Sequence, residues 1–241
     1  MKFLEKINQK SKDLMGTAPV TIAFLGDSVT QGCFECYYDE KDNLQTVFDA
    51  KSGYPSRVKE MLNLLYPSAQ INVINSGISG DWAANGNARF ERDVARYAPD
   101  LVVVSFGLND STHGLDYVGE YAQQLQEIFN KVKALGAECV FVFQNMMNTK
   151  VSCHLKETRA QDLAKVFAKV QNDGVLDAYY EAAKKMAQDC GVAFCDVYST
   201  WKQMAKNGVD ITELLSNKYN HPIRELHYYT AMKVLETILT F

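Results

Sequence analysis

Five short runs of almost continuous apolar or β-branched residues punctuate the chain, at Val20–Leu25, Ile71–Asn75, Leu101–Phe106, Cys139–Phe143 and Val192–Val197. A strand with one wet face alternates apolar and polar residues, so runs of this kind belong to strands covered on both faces. Helical patterns lie between or after them at Pro55–Tyr66, Ala88–Tyr97, Val118–Leu135, Gly174–Cys190 and Ile223–Leu239. Buried strands alternating with helices predict a parallel sheet joined by right-handed crossovers, a three-layer α/β/α, doubly wound fold. Ligands of such sheets bind beyond the carboxyl ends of the strands, so the residues that follow each strand are where chemistry is expected.

No repeat, low-complexity tract or Pro/Gly/Ser linker divides the 241 residues, and one domain over residues 1–241 is expected. Residues 1–17 form a helical extension docked through Phe3, Leu4 and Ile7, and residues 33–53 an insertion near the site. Hydrophobic residues at 47% and charged residues at 22% exclude a disordered or fibrous chain. A net charge of −4 lacks the basic footprint that nucleic acid or an anionic membrane requires. Charges at Lys2, Glu5, Lys6, Lys10, Lys12 and Asp13 interrupt any secretory apolar run, and no stretch approaches the roughly 20 residues of a membrane span, so a cytoplasmic protein is expected. Six cysteines in such a chain read as reduced thiols, and Cys33 and Cys36, with no matching second pair, as structural or incidental.

Four small motifs follow the strands or return to the sheet. Gly26-Asp27-Ser28 ends the first strand and leaves the Ser28 hydroxyl at a helix N-terminus, where capping by Asp27 or Ser28 is the simpler use. Asn75-Ser76-Gly77-Ile78-Ser79-Gly80-Asp81 can free a backbone amide for an anion or form a plain turn. Gly107-Leu108-Asn109-Asp110 offers a neutral side-chain donor or an Asx turn. Asn220-His221-Pro222 opens a helix, with proline in its first turn.

Taken in chain order, Ser28, Gly80, Asn109 and His221 make the sequence resemble the SGNH hydrolases, the GDSL-like lipase/esterase family, from Gly26 to the last helix. His227, six residues past His221, and Ala231 extend the likeness. The resemblance implies a five-stranded sheet of flavodoxin-like order and a serine esterase working through an acyl-enzyme, with no metal and no cofactor. It implies Ser28 as nucleophile and His221 as general base, with the Ser28 and Gly80 amides and the Asn109 side chain as oxyanion donors. One position departs: the family's aspartate three residues before the histidine is Lys218 here. A backbone carbonyl, Asn217, Asp210 or Glu213 are the substitutes that remain to orient His221.

The insertion from Cys33 to Lys51 carries five acidic against two basic residues, which would disfavour anionic substrates, and its Phe34, Tyr37, Tyr38 and Phe48 could stack on a sugar or an acyl chain. Small neutral acetylated carbohydrates are the substrate expectation. Met146 and Met147 are candidate pocket walls, Trp82 is a wall or, more simply, a core residue, and His154 reads as an ordinary loop histidine. Two other readings share the fold, a noncatalytic ligand-binding relative that lost its aspartate and a flavin- or phosphate-binding module seated on Asp27-Ser28-Val29-Thr30. Association into oligomers is left open.

Overall fold

The computed structural model describes residues 2–240. In chain order the first half runs α1 (Lys2–Lys12), β1 (Val20–Gly26), α2 (Ser28–Gln31), β2 (Cys33–Tyr38), β3 (Leu44–Phe48), α3 (Tyr54–Leu65), β4 (Ile71–Gly77), α4 (Ala83–Ala88), α5 (Phe90–Asp93) and β5 (Leu101–Ser105). The second half adds α6 (Val118–Ala134), β6 (Glu138–Phe143), α7 (Thr158–Asn172), α8 (Val175–Asp189), β7 (Ala193–Asp196), α9 (Tyr198–Lys206) and α10 (Arg224–Thr240).

Five strands form one parallel sheet in the order β4-β1-β5-β6-β7, the flavodoxin-like order. Every residue of β5 is buried, as are six of the seven in β1, because helices cover both faces. Helices α3 and α10 pack together on one face, and α4, α6 and α8 cover the other. The expected strands and most helices fall within a few residues of their sequence positions. The expected Ala88–Tyr97 helix is instead α4, α5 and a 3₁₀ turn at Ala95–Tyr97. Its first interruption is at Arg89, whose guanidinium turns inward to donate to Gly26 O at 3.0 Å, Ser76 O at 2.7 Å and Asp81 Oδ2 at 2.7 Å. One buried cation thus ties the ends of β1 and β4 together.

The insertion folds as an antiparallel hairpin, β2 and β3, in a sheet of its own, with no strand pairing to the central sheet. At the C-terminal end of the molecule the chain loops back before α10, pinned by an isolated Leu215–Pro222 bridge and by Ser216 N–H donating to His221 O at 2.8 Å. Helix α10 begins at Arg224, so Pro222 stands before the helix and not in its first turn. A proline there has no N–H to give, and its fixed φ suits the extended bridge.

Candidate active site

The end of β1 leads directly into α2. Asp27 caps that helix, its Oδ1 accepting from Val29 N at 3.0 Å, and Gly32 closes the single turn in the left-handed conformation. Ser28 is therefore the first residue of a short helix and, at 3% exposure, nearly enclosed. The turn is tight against β4: a Cβ on Gly77 would lie 2.3 Å from the backbone N of Gln31.

Ser28 and His221 meet. The Ser28 hydroxyl and His221 Nε2 are 2.9 Å apart, and His221 Nδ1 is 2.8 Å from the carbonyl oxygen of Phe34. A carbonyl only accepts, so Nδ1 must carry the ring proton and Nε2 presents its lone pair to the serine O–H. The group that fixes the tautomer is thus a backbone carbonyl at the start of β2. Burial pushes the imidazole down to about 4, with the Phe34 carbonyl and Glu35 pulling the other way, so the ring is neutral near pH 7.

The remaining candidates for orienting His221 do other work. Asn217 Oδ1 accepts the backbone N–H groups of Tyr219, Asn220 and His221, each at 3.0 Å, which shapes the loop without touching the ring. Asp210 pairs with Lys150, and Glu213 accepts from Ser152 and Lys218. Lys218 itself sits at φ 63° with its ammonium on Glu213, so the position normally given to an aspartate faces away from the histidine ring.

Gly80 and Asn109 are joined to this centre through the loops that carry them. Ile78 N–H donates to Gly26 O at 3.1 Å and Ser79 N–H to Gln31 Oε1 at 2.7 Å, fastening the Gly80 loop to the end of β1 and the last residue of α2. Gly80 adopts φ +78°, a left-handed conformation that a side chain would strain. Among the described residues no acceptor takes the N–H of Ser28 or of Gly80. Asn109 Nδ2 donates to Asp81 O at 2.8 Å, which fixes its amide beside the same loop. Asp110 completes the frame, its two oxygens accepting from Ala83 N at 2.9 Å and Gly107 N at 3.0 Å.

Further residues support this centre, of which Gln144 carries no signature in the sequence. Gln144 Nε2 donates to Asp27 Oδ1 at 2.9 Å, and burial pushes Asp27 up to about 7 against the pull of that bond. His227 packs its ring 4.8 Å from Phe34 and accepts from Tyr54 N–H at 3.2 Å, so it anchors the start of α3. Met146 and Met147 are buried in the core. Trp82 lies 3.9 Å, centroid to centroid, from His113 and 6.1 Å from Tyr117, three rings grouped on the Gly80 and Asn109 loops. The acidity of the hairpin is largely neutralised, because Arg224 binds Glu35 and Asp49, and Arg159 binds Asp42. Burial pushes the Cys33 thiol up to about 12, which leaves it protonated and inert. Among the described residues, no group of three or more His, Cys, Asp or Glu is placed to hold a metal ion. No described helix is long and apolar enough to cross a membrane.

A serine hydroxyl bonded to a neutral, oriented imidazole, beside amide donors held on neighbouring loops, is the equipment of nucleophilic acyl transfer. Residues 24–227 match the GDSL-like Lipase/Acylhydrolase family, and the chain belongs to that family of carboxylic ester hydrolases. The acetylxylan esterase of Geobacillus stearothermophilus is 23% identical over 194 residues, covering 77% of this chain and 79% of that protein. An arylesterase of Vibrio mimicus is 28% identical over 117 residues, 46% of this chain and 58% of its own. Among solved structures, a two-domain esterase active on acetylated mannans superposes with a TM-score of 0.69 at 19% identity, over 98% of this chain and 52% of its own. This chain therefore spans about half the length of that two-domain protein. The Geobacillus stearothermophilus acetylxylan esterase superposes with a TM-score of 0.64 at 22% identity, over 91% of this chain and 92% of its own. At these identities the superpositions establish the shared fold.

Proposed function

We propose that this protein is a serine esterase that removes acetyl groups from small neutral acetylated carbohydrates through an acyl-enzyme. The observation that carries the reading is the continuous relay from Ser28 Oγ through the His221 ring to Phe34 O, with links of 2.9 and 2.8 Å. Ser28 Oγ attacks the ester carbonyl carbon as its proton passes to His221 Nε2. The tetrahedral oxyanion is met by the Ser28 and Gly80 amides and the Asn109 side chain. The C–O bond to the sugar then breaks, and the departing alcohol takes the proton from Nε2. Water, deprotonated by the same nitrogen, releases acetate and restores Ser28. No cofactor is required by this sequence of steps.

Charge and shape favour an uncharged, sugar-sized ester. Arg224 offsets Glu35 and Asp49 beside the site, and the Trp82, His113 and Tyr117 rings present flat faces suited to pyranose C–H edges. The names of the relatives point the same way. We take the chain to act as one unit, and its six free cysteines agree with a reducing, cytoplasmic setting.

Acetate release from acetylated xylo-oligosaccharides and from p-nitrophenyl acetate, by the parent protein and by Ser28→Ala, tests this. The parent turns over both and the variant neither. Equal turnover by the two proteins removes Ser28 from the reaction. A folded parent that binds these esters without releasing acetate makes the protein a noncatalytic relative, and a preparation carrying bound flavin or phosphate restores the nucleotide-loop reading.

A further inference from the structure

The acceptor that orients His221 is a backbone atom, and it belongs to a hairpin that shares no strand pairing with the central sheet. Beside the Asp49 N–H bond to Gly32 O at 2.8 Å and the burial of Phe34, its position relative to the imidazole depends on side chains that tie the hairpin to the loop and helix around His221. The strongest of these ties is made by Arg224, three residues past His221 and the first residue of α10. Its Nη1 and Nη2 donate to the two oxygens of Glu35 at 2.6 and 3.1 Å, and its Nε donates to Asp49 Oδ2 at 3.0 Å. Glu35 adjoins Phe34 in β2, and Asp49 directly follows β3, so one guanidinium grips both arms of the hairpin. The same guanidinium lies 4.2 Å over the Phe34 ring. By contrast, the other polar link to the hairpin from this loop, Asn217 Nδ2 to Cys36 Sγ, spans 3.7 Å to a weak sulfur acceptor.

We propose that Arg224 is a positioning residue of ester hydrolysis, holding the Phe34 carbonyl on His221 Nδ1 in place of the side-chain carboxylate that position 218 lacks. The inference rests on the assignment of Ser28 and His221 given above. An ion pair this close to solvent adds little stability by itself, so its value is geometric. A fork that bonds a carboxylate with two parallel N–H groups and stacks on a ring fixes both distance and orientation, which a lysine ammonium does not. Loss of about 1 Å of registration at a catalytic group lowers turnover on the order of 10²-fold. The hairpin thereby becomes part of the hydrolytic machinery through its backbone, and Lys218 is free to serve Glu213.

The test compares the parent, Arg224→Ala, Arg224→Lys and the double variant Glu35→Gln/Asp49→Asn, which breaks the clamp from the other side. Turnover of p-nitrophenyl acetate is measured with folding checked by circular dichroism, and the imidazole ¹⁵N shifts are read by NMR. The four histidines of the chain make the His221 signals assignable through His221→Ala. The clamp predicts a fall in kcat of about 10- to 100-fold in Arg224→Ala and in the double variant. KM stays within about threefold, Arg224→Lys recovers only part of the loss, and the single Nδ1–H tautomer of His221 gives way to a mixture. Parent-like kcat, or an unchanged His221 tautomer, in whichever of the clamp-breaking variants folds overturns the proposal while leaving Ser28 untouched. A parent with no Ser28-dependent turnover overturns the esterase reading instead.

Discussion

Burial decides the charge of the histidine facing Ser28. An exposed imidazole titrates near about 6.5, and protonation would fill the lone pair that the proposed mechanism needs free for the serine proton. Enclosure among apolar neighbours pushes His221 down to about 4, so the ring keeps its free lone pair well into mildly acidic solution. The acid limb of kcat/KM is expected at least one pH unit below about 6.5, measured with an ester whose own hydrolysis is flat over that range. A limb near the ordinary histidine value would mean that the ring is solvated in the working enzyme. The residue scale is also where the sequence is least legible. Ser28 and His221 were readable as motif positions, and Gly80 through its place in a glycine-bearing turn. The Phe34 carbonyl was not, because every residue carries a carbonyl and only the fold selects one.

Among the elements, the strands were legible because full burial on two faces leaves a run of apolar residues that few other structures require. The β2–β3 hairpin was not, since it is only partly buried and its side chains follow no clean alternation. Helix α7 escaped for a different reason. It packs through Ala160, Ala164 and Ala168, a row of small residues four apart that marks one helix face without raising its hydrophobicity. The junction of β1, α2 and β4 is the element-scale feature on which the site depends. Gly77→Ala would drive a Cβ to 2.3 Å from Gln31 N, a backbone atom that cannot swing aside. Overpacking of this kind costs about 1–3 kcal/mol, and here it also displaces α2 and with it Ser28. The variant is expected to melt lower and to lose turnover more than its stability loss explains. A variant with the parent's melting temperature and activity would show that the turn has slack.

Across the whole molecule, buried ionisable groups set how stability responds to pH. Burial pushes Asp27 and Asp110 each up to about 7, while it pushes His221 down to about 4 and His227 down to about 3. The histidines bind protons more readily when unfolded, so their effect is a gain in stability as pH rises, tapering through about 6.5 and complete about one unit higher. The two carboxyls have the opposite sign: their contribution is full below about pH 4 and is lost as pH rises through about 7. Between about pH 6.5 and 8 the loss from the two carboxyls outweighs the remaining gain from the two histidines, and the denaturant midpoint of the parent should fall. Asp27→Asn keeps a neutral side chain beside Gln144 and should remove most of that fall, because Asp110 alone then opposes the histidine gain. An identical fall in both proteins would show that Asp27 is already ionised at the lower pH. The fold and the residues at its strand ends thus converge on one claim, that Ser28 is a nucleophile activated by His221. Covalent labelling with a fluorophosphonate, located by mass spectrometry of proteolytic fragments, tests it most directly. A single adduct on the fragment containing Ser28, absent from Ser28→Ala and strongly slowed in His221→Ala, is the expected result; an adduct elsewhere, or labelling that persists unchanged in either variant, contradicts it.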